Sequence, residues 1–185
     1  MCGIAGWVKK DIDVNFASFV LSKASERGCD GYGLLDLESH RVLKNARRFI
    51  NHISIRDFEN KAILAHFRLH TIIDTSNDLN YLQPLKYKNF YIAHNGFLKN
   101  IKSESDSLYL LKKIIKNFED ITMVQDELEI EKIAVAIYNT ETEVVSLYRD
   151  KMPLYLFKGV FCSKKINSDF EIIPEKKRLD LKYAD

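Results

Sequence analysis

Strand-like runs stand at both ends of this chain and helical stripes lie between them, a distribution that excludes an all-helical bundle and a regular alternation of strand and helix. The first run, Cys2 to Lys9, is apolar and leads into Val14, Phe16, Phe19, Val20 and Ala24, which recur at helical spacing until Gly28 offers a stop. Tyr32 to Leu43 alternates around the polar break Glu38-Ser39-His40 and predicts a hairpin, while Ala62 to Leu69 and Phe90 to Leu98 are further β-rich runs. Leu108, Leu111, Ile114 and Ile115 place a helical stripe in Ser107 to Phe118. The final third then breaks into short strands at Lys132 to Tyr138, Val144 to Arg149, Pro153 to Phe157, Val160 to Ser163 and Phe170 to Ile173. Such a pattern predicts an α+β fold in which helices cover β-sheets, though it leaves the order of the layers open.

Size and charge narrow the possibilities further. A chain of 185 residues, 46% hydrophobic, suits one sizeable core, so residues 1–185 are expected to form a single domain. The net charge of +2 gives no general attraction to nucleic acid or to a membrane surface. Lys176-Lys177-Arg178 is the one basic run, and Glu175 and Asp180 flank it, as expected of a solvated terminal segment. No apolar stretch reaches the length of a membrane span. The three cysteines, Cys2, Cys29 and Cys162, form neither a C-x-x-C pair nor an even framework, which points to a reducing compartment, the cytoplasm.

Cys2 carries the most chemistry. Removal of Met1 would place a thiol and a free α-amine on one residue, giving a nucleophile with its own base. A thiol of pKa about 8.5 is mostly protonated at neutral pH, and an amine near 8 can accept its proton. The alternative is a small hydrophobe opening a strand. Other polar residues then acquire possible roles. Asn95 and Gly96 follow the apolar run 90–93, so an amide N–H and a backbone N–H could stabilise an oxyanion there; an Asn-Gly pair also makes hairpin turns. Arg68 ends another apolar run, where its guanidinium could grip a carboxylate or form a surface ion pair, and Thr71 could add a hydroxyl. Asp106 could receive an ammonium or cap the helix that follows. Arg27 and Asp30, in a glycine-rich turn, are read as support for Cys2. His66, His70, His94 and Cys29 include an H-x-x-x-H spacing, but the intervening residues read as strand and no companion glutamate motif is present, so no metal site is assigned.

In chain order, 1-MCGIAG-6, 27-RGCDG-31, 66-HFRLHT-71, Gln83-Pro84 and 93-AHNGFLKN-100 resemble the class II glutamine amidotransferase domain. This is the N-terminal-nucleophile (Ntn) glutaminase module of glucosamine-6-phosphate synthase, amidophosphoribosyltransferase and asparagine synthetase. Arg149-Asp150, Pro153-Leu154-Tyr155 and 161-FCS-163 resemble its later strands, so the likeness covers nearly the whole chain. The resemblance implies a four-layer αββα sandwich, with Cys2 as nucleophile and base, Asn95 and Gly96 as oxyanion donors, and Arg68, Thr71 and Asp106 as glutamine holders. It also implies glutamine as substrate and no cofactor; since the chain ends where relatives continue into a synthase or transferase domain, no fused synthase domain is expected, and the ammonia is expected to go to an acceptor on a separate synthetase subunit. Departures occur at Thr71, followed by Ile72-Ile73-Asp74 where many members have a glycine, and in the short segment between Asn100 and Asp106. Two further readings remain open: a non-catalytic binding or regulatory module of the same fold, and an amidase for another small amide.

Overall fold

A computed structural model of the chain describes residues 1–49, 59–69, 79–98, 105–116 and 121–183. Among these residues, twelve strands, numbered in chain order, form two antiparallel sheets. In spatial order the first holds β11 (Glu171–Ile172), β9 (Tyr155–Phe157), β10 (Val160–Cys162), β1 (Gly3–Trp7), β4 (Ile63–Phe67), β2 (Tyr32–Asp36) and β3 (Val42–Asn45). The second holds β12 (Leu179–Lys182), β8 (Val144–Asp150), β7 (Ile133–Asn139), β6 (Phe90–Gly96) and β5 (Leu85–Tyr87). Helix α1 (Val14–Ser25) covers the first sheet, and α2 (Asp106–Lys116) and α3 (Ile121–Glu127) cover the second.

The four layers follow from the two-residue period of the strands. In β7, Ala134, Ala136 and Tyr138 face the space between the sheets, where they meet Ile4, Leu35 and Leu64. Ile133, Val135 and Ile137 face the other way, against Leu110, Leu111 and Ile114 of α2 and Ile121 and Val124 of α3. The same alternation in β1 sends Ile4 into the inter-sheet core and Ala5 and Trp7 under α1, so all five of its residues are buried. Helix α1 begins where the Asp13 carboxylate accepts the Phe16 N–H at 2.9 Å, and it buries Ala17, Val20, Leu21 and Ala24. Gly3 is required where α1 crosses β1: a Cβ there would stand 2.1 Å from the Ala24 carbonyl oxygen.

The predicted hairpin forms as β2 and β3, and β1, β4, β6 to β11, α1 and α2 all fall inside the expected runs or within a residue or two of them. Three elements escape the sequence pattern. Strand β5 has only three residues, α3 only seven, and β12 follows the basic run that predicts a solvated tail. Leu179 and Leu181 of β12 nevertheless pack on the inter-sheet core while Asp180 accepts the Ser146 hydroxyl at 2.6 Å, so this segment is an edge strand paired to β8. Asp74 to Pro84, expected as a surface loop, is described only from residue 79; Leu79–Tyr81 form a 3-10 turn, and Leu82, Gln83 and Pro84 are buried. Among the described residues, no helix is long and apolar enough to cross a membrane.

Candidate active site

Cys2 immediately precedes the central strand of the first sheet, and Asn95 and Gly96 end β6, which lies between β7 and the edge strand β5 of the second. Packing the sheets face to face brings these two strand ends together. The backbone N–H of Cys2 donates to Asn95 Oδ1 at 3.1 Å, linking residues 93 apart in sequence. With its oxygen so engaged, the buried Asn95 amide turns Nδ2 the other way, where its neighbour is Met152 Sδ at 4.0 Å. A thioether at that distance is a weak acceptor, so the N–H groups remain available to a stronger one. Asn95-Gly96 is thus a strand terminus paired with β7, rather than the hairpin turn such a dipeptide often makes.

Buried polar residues fix the end of β6. The His94 N–H donates to Gln83 Oε1, Gln83 Nε2 donates to Ser107 Oγ at 2.8 Å, and His94 Nδ1 lies 3.1 Å from the same hydroxyl. Ser107 Oγ donates to Asp106 Oδ1 at 3.2 Å, which makes it the acceptor for Gln83 and for a proton on His94 Nδ1. His66 Nε2 completes the clamp against the His94 carbonyl oxygen at 3.2 Å. Burial holds both rings neutral: it lowers the His66 pKa to about 3, with His94 and then Arg68 pushing the same way, and it lowers that of His94 against the pull of Asp106. Gly96 fits because a Cβ would meet His94 Nε2 at 2.5 Å and the Lys132 carbonyl oxygen at 2.9 Å.

On the other side of Cys2, Arg27 Nε donates to the Cys2 carbonyl oxygen at 3.2 Å and its second amine reaches Met1 Sδ at 3.6 Å. The Asp30 N–H donates to the Arg68 carbonyl oxygen at 2.9 Å and the Arg68 N–H to the Gly31 oxygen at 2.8 Å, which stitches the glycine-rich turn to the end of β4. The Cys2 sulfur lies 3.9 Å from the Leu69 carbonyl oxygen. Burial raises the thiol pKa above its ordinary value; the Leu69 contact, the chain amine and Arg68 lower it, and Asp106 raises it. A half-buried thiol of raised pKa attacks poorly unless a base takes its proton.

These residues open onto a cavity of about 320 Å³. Met1, Cys2 and Leu69 form one wall, Asn95, Gly96 and Phe97 a second, and Met152 with Glu129, Glu131 and Lys132 a third. Neither Arg68 nor Asp106 is among the described lining residues, although the charges of both reach the Cys2 sulfur. Asp106 is the first residue of α2, and its Oδ1 accepts the N–H of the next residue, Ser107, at 2.7 Å, whereas an N-cap accepts from two or three residues further on. Thr71 and His70 lie outside the described residues. Sequence reasoning missed Met152, Phe97 and the 129–132 turn as cavity walls, although Phe97 directly follows Asn95-Gly96 and Met152 lies close to Arg149-Asp150.

No model of a known protein family matches this chain, and neither does any curated protein. Solved structures do. A glutamine phosphoribosylpyrophosphate amidotransferase from B. subtilis, complexed with ADP and GMP, superposes with a TM-score of 0.62 at 16% identity, covering 100% of this chain and 49% of its own. A structure described as the allosteric regulatory enzyme of purine biosynthesis gives a TM-score of 0.63 at 15% identity with the same coverage, 100% and 49%. A protein from Pseudomonas aeruginosa PA01, described as a predicted glutamine amidotransferase, gives 0.54 at 11% identity and covers 96% and 92%. The chain therefore spans about half the length of the first two. Its fold is the one these amidotransferase structures share, an α+β structure of two antiparallel sheets covered by helices.

Proposed function

We propose that residues 1–185 act as a glutaminase unit, in which Cys2 attacks the side-chain amide of glutamine once Met1 has been removed. The observation that carries this reading is the 3.1 Å hydrogen bond from the Cys2 nitrogen to Asn95 Oδ1 at the wall of a cavity. It sets the thiol, the future α-amine and an amide donor around one space, although they come from different sheets. Met1 is 62% exposed and Cys2 and Gly3 are small, so the bond to be cut is accessible and its removal enlarges the cavity that Met1 lines.

In this mechanism the amine of Cys2 takes the thiol proton, and the sulfur adds to the amide carbon. Asn95 Nδ2 and the Gly96 N–H stabilise the resulting oxyanion, a contribution of about 3 kcal/mol for one such donor. The ammonium returns a proton to the departing nitrogen as the C–N bond breaks, leaving a γ-glutamyl thioester and ammonia. Water, activated by the same amine, then cleaves the thioester to glutamate. Asn95 has a second task, since the oxygen that accepts from the Cys2 nitrogen orients the amine. Arg27 holds the Cys2 carbonyl, and Asp30 supports the same turn. Arg68 and Thr71 are assigned to the glutamine carboxylate and Asp106 to its ammonium; the effect of Arg68 and Asp106 on the Cys2 thiol supports their nearness. The names of the structural neighbours are those of amidotransferases, which supports an acceptor for the ammonia; its placement on a partner synthetase in the cytoplasm is our own assignment.

The test is glutamate release from glutamine by protein whose first residue is Cys2. Cys2→Ala and a form with Met1 retained should both be inactive. Turnover by either at the parent rate contradicts the mechanism.

A further inference from the structure

A second cavity, of about 350 Å³, lies between the β5 edge of the second sheet and the outer face of α2, away from Cys2. Every charged residue among its described walls is a lysine: Lys88 from the β5–β6 turn and Lys112, Lys113 and Lys116 from α2. Tyr87, Tyr109 and Ile115 complete it. The ammonium groups rest against the tyrosine rings, those of Lys88 and Lys112 at 5.6 and 5.5 Å from the centre of Tyr87, and that of Lys113 at 5.9 Å from Tyr109. Glu127 neutralises Lys113 at 2.5 Å, and among the described residues neither Lys88 nor Lys116 forms an ion pair with a carboxylate.

Lysines in the last turn of a helix ordinarily complement its dipole, which accounts for Lys113 and Lys116. It does not account for Lys88, which comes from another element and brings a second ammonium to the ring that already carries Lys112. Like charges gathered around a cavity repel weakly in water, and an anion bound among them would relieve that repulsion. The protein carries a net charge of only +2, so this concentration is local and is no reflection of a generally basic surface. Ring contacts also hold the amines in place, which reduces the entropy lost on capturing a ligand.

We propose that this groove binds a small oligophosphate, a di- or triphosphate whose anionic oxygens are held by Lys88, Lys112 and Lys116 and by the tyrosine hydroxyls. The cavity falls in the size range of small-molecule sites, and its rings can also accept a base, so free inorganic oligophosphate and a nucleoside diphosphate share the chemistry. The proposal is independent of the reaction assigned to Cys2.

Isothermal titration of the full chain with inorganic tripolyphosphate and with ADP tests it. Saturable one-to-one binding that weakens as salt rises is expected for at least one probe. Comparable affinities would mark free oligophosphate as the ligand, and tighter binding of ADP would mark a nucleotide. The double variant Lys88→Glu/Lys116→Glu should lose at least about tenfold in affinity, since each charge-assisted contact is worth more than a neutral hydrogen bond. Lys176→Glu/Lys177→Glu makes the same charge change just before β12, on the opposite edge of the sheet, and should stay near the parent value. Lys88→Gln/Lys116→Gln replaces the first variant if melting shows that it fails to fold. Failure of both probes to saturate at millimolar concentration, or equal weakening by the two pairs of substitutions, overturns the proposal.

Discussion

Replacing Asn95 separates the two tasks assigned to it. In Asn95→Ala the hydrogen bond from the Cys2 nitrogen disappears, a loss of about 1 kcal/mol for a partly buried neutral bond. For a chain of this length, that corresponds to a fall in melting temperature of roughly 2–4 °C. Loss of the Nδ2 donor acts on the transition state instead. Here the amide has only the Met152 thioether at 4.0 Å as neighbour, so the donor is uncommitted before reaction and its removal should cost about 3 kcal/mol, or roughly a hundredfold or more in kcat. Because the oxyanion forms only during reaction, KM should move much less than kcat. Asn95→Asp sharpens the comparison: it keeps an acceptor for the Cys2 nitrogen, loses the donor and adds negative charge where negative charge develops. Its kcat should fall at least as far as that of Asn95→Ala while its melting temperature stays closer to the parent. Glutamate formation over a range of glutamine concentrations, with thermal melting alongside, gives both numbers. A kcat within about fivefold of the parent in both variants would refute the donor assignment.

Other outcomes follow from the packing around the site. Gly3→Ala sets a Cβ 2.1 Å from the Ala24 carbonyl oxygen, a backbone atom that cannot swing aside, and should destabilise the protein by about 3 kcal/mol, the upper end for overpacking; an unchanged urea midpoint would contradict the contact between α1 and β1. His66, with its pKa lowered to about 3 against roughly 6.5 unfolded, contributes stability that is complete above pH 6.5 and is lost as pH falls toward 3, about 2 kcal/mol of it by pH 5. His94, also lowered by burial, adds loss in the same direction. His66→Gln should therefore lose about 2 kcal/mol less than the parent between pH 7 and pH 5 in urea unfolding, and equal acid sensitivity would remove this account of the buried ring.

The elements that build the sandwich are legible in the sequence where one pattern runs long enough to be read. Ile133 to Tyr138 is an unbroken apolar run because both faces of β7 are buried by different layers, and the stripe in α2 faces only one of them. Strand β5 and helix α3 are too short to show a period, and β12 is hidden because Asp180 and Lys182 face outward beside a basic run. At the site, the residue types near Cys2 and Asn95 suggest chemistry, but their meeting is a tertiary event between two sheets. Gln83 and His94 stand in segments that carry the family resemblance, but their contact with Ser107 left no sequence signal, because a buried polar residue satisfied by another breaks no pattern. Side-chain direction is equally silent in sequence: Arg68 ends a strand as expected, yet it is absent from the described cavity wall and acts on the thiol through its charge.

The central claim is that Cys2, freed at its amine, forms the covalent bond to substrate. A glutamine analogue bearing an electrophile in place of the amide, followed by mass spectrometry of the digested protein, tests it directly. The internal control is strong, because Cys29 is exposed and Cys162 is buried with its thiol pushed up to about 11. The account predicts a single adduct on a peptide beginning at Cys2, formed in parallel with loss of glutaminase activity and slowed by free glutamine. An adduct on Cys29 with Cys2 unmodified, or inactivation of a chain that still carries Met1, would contradict it.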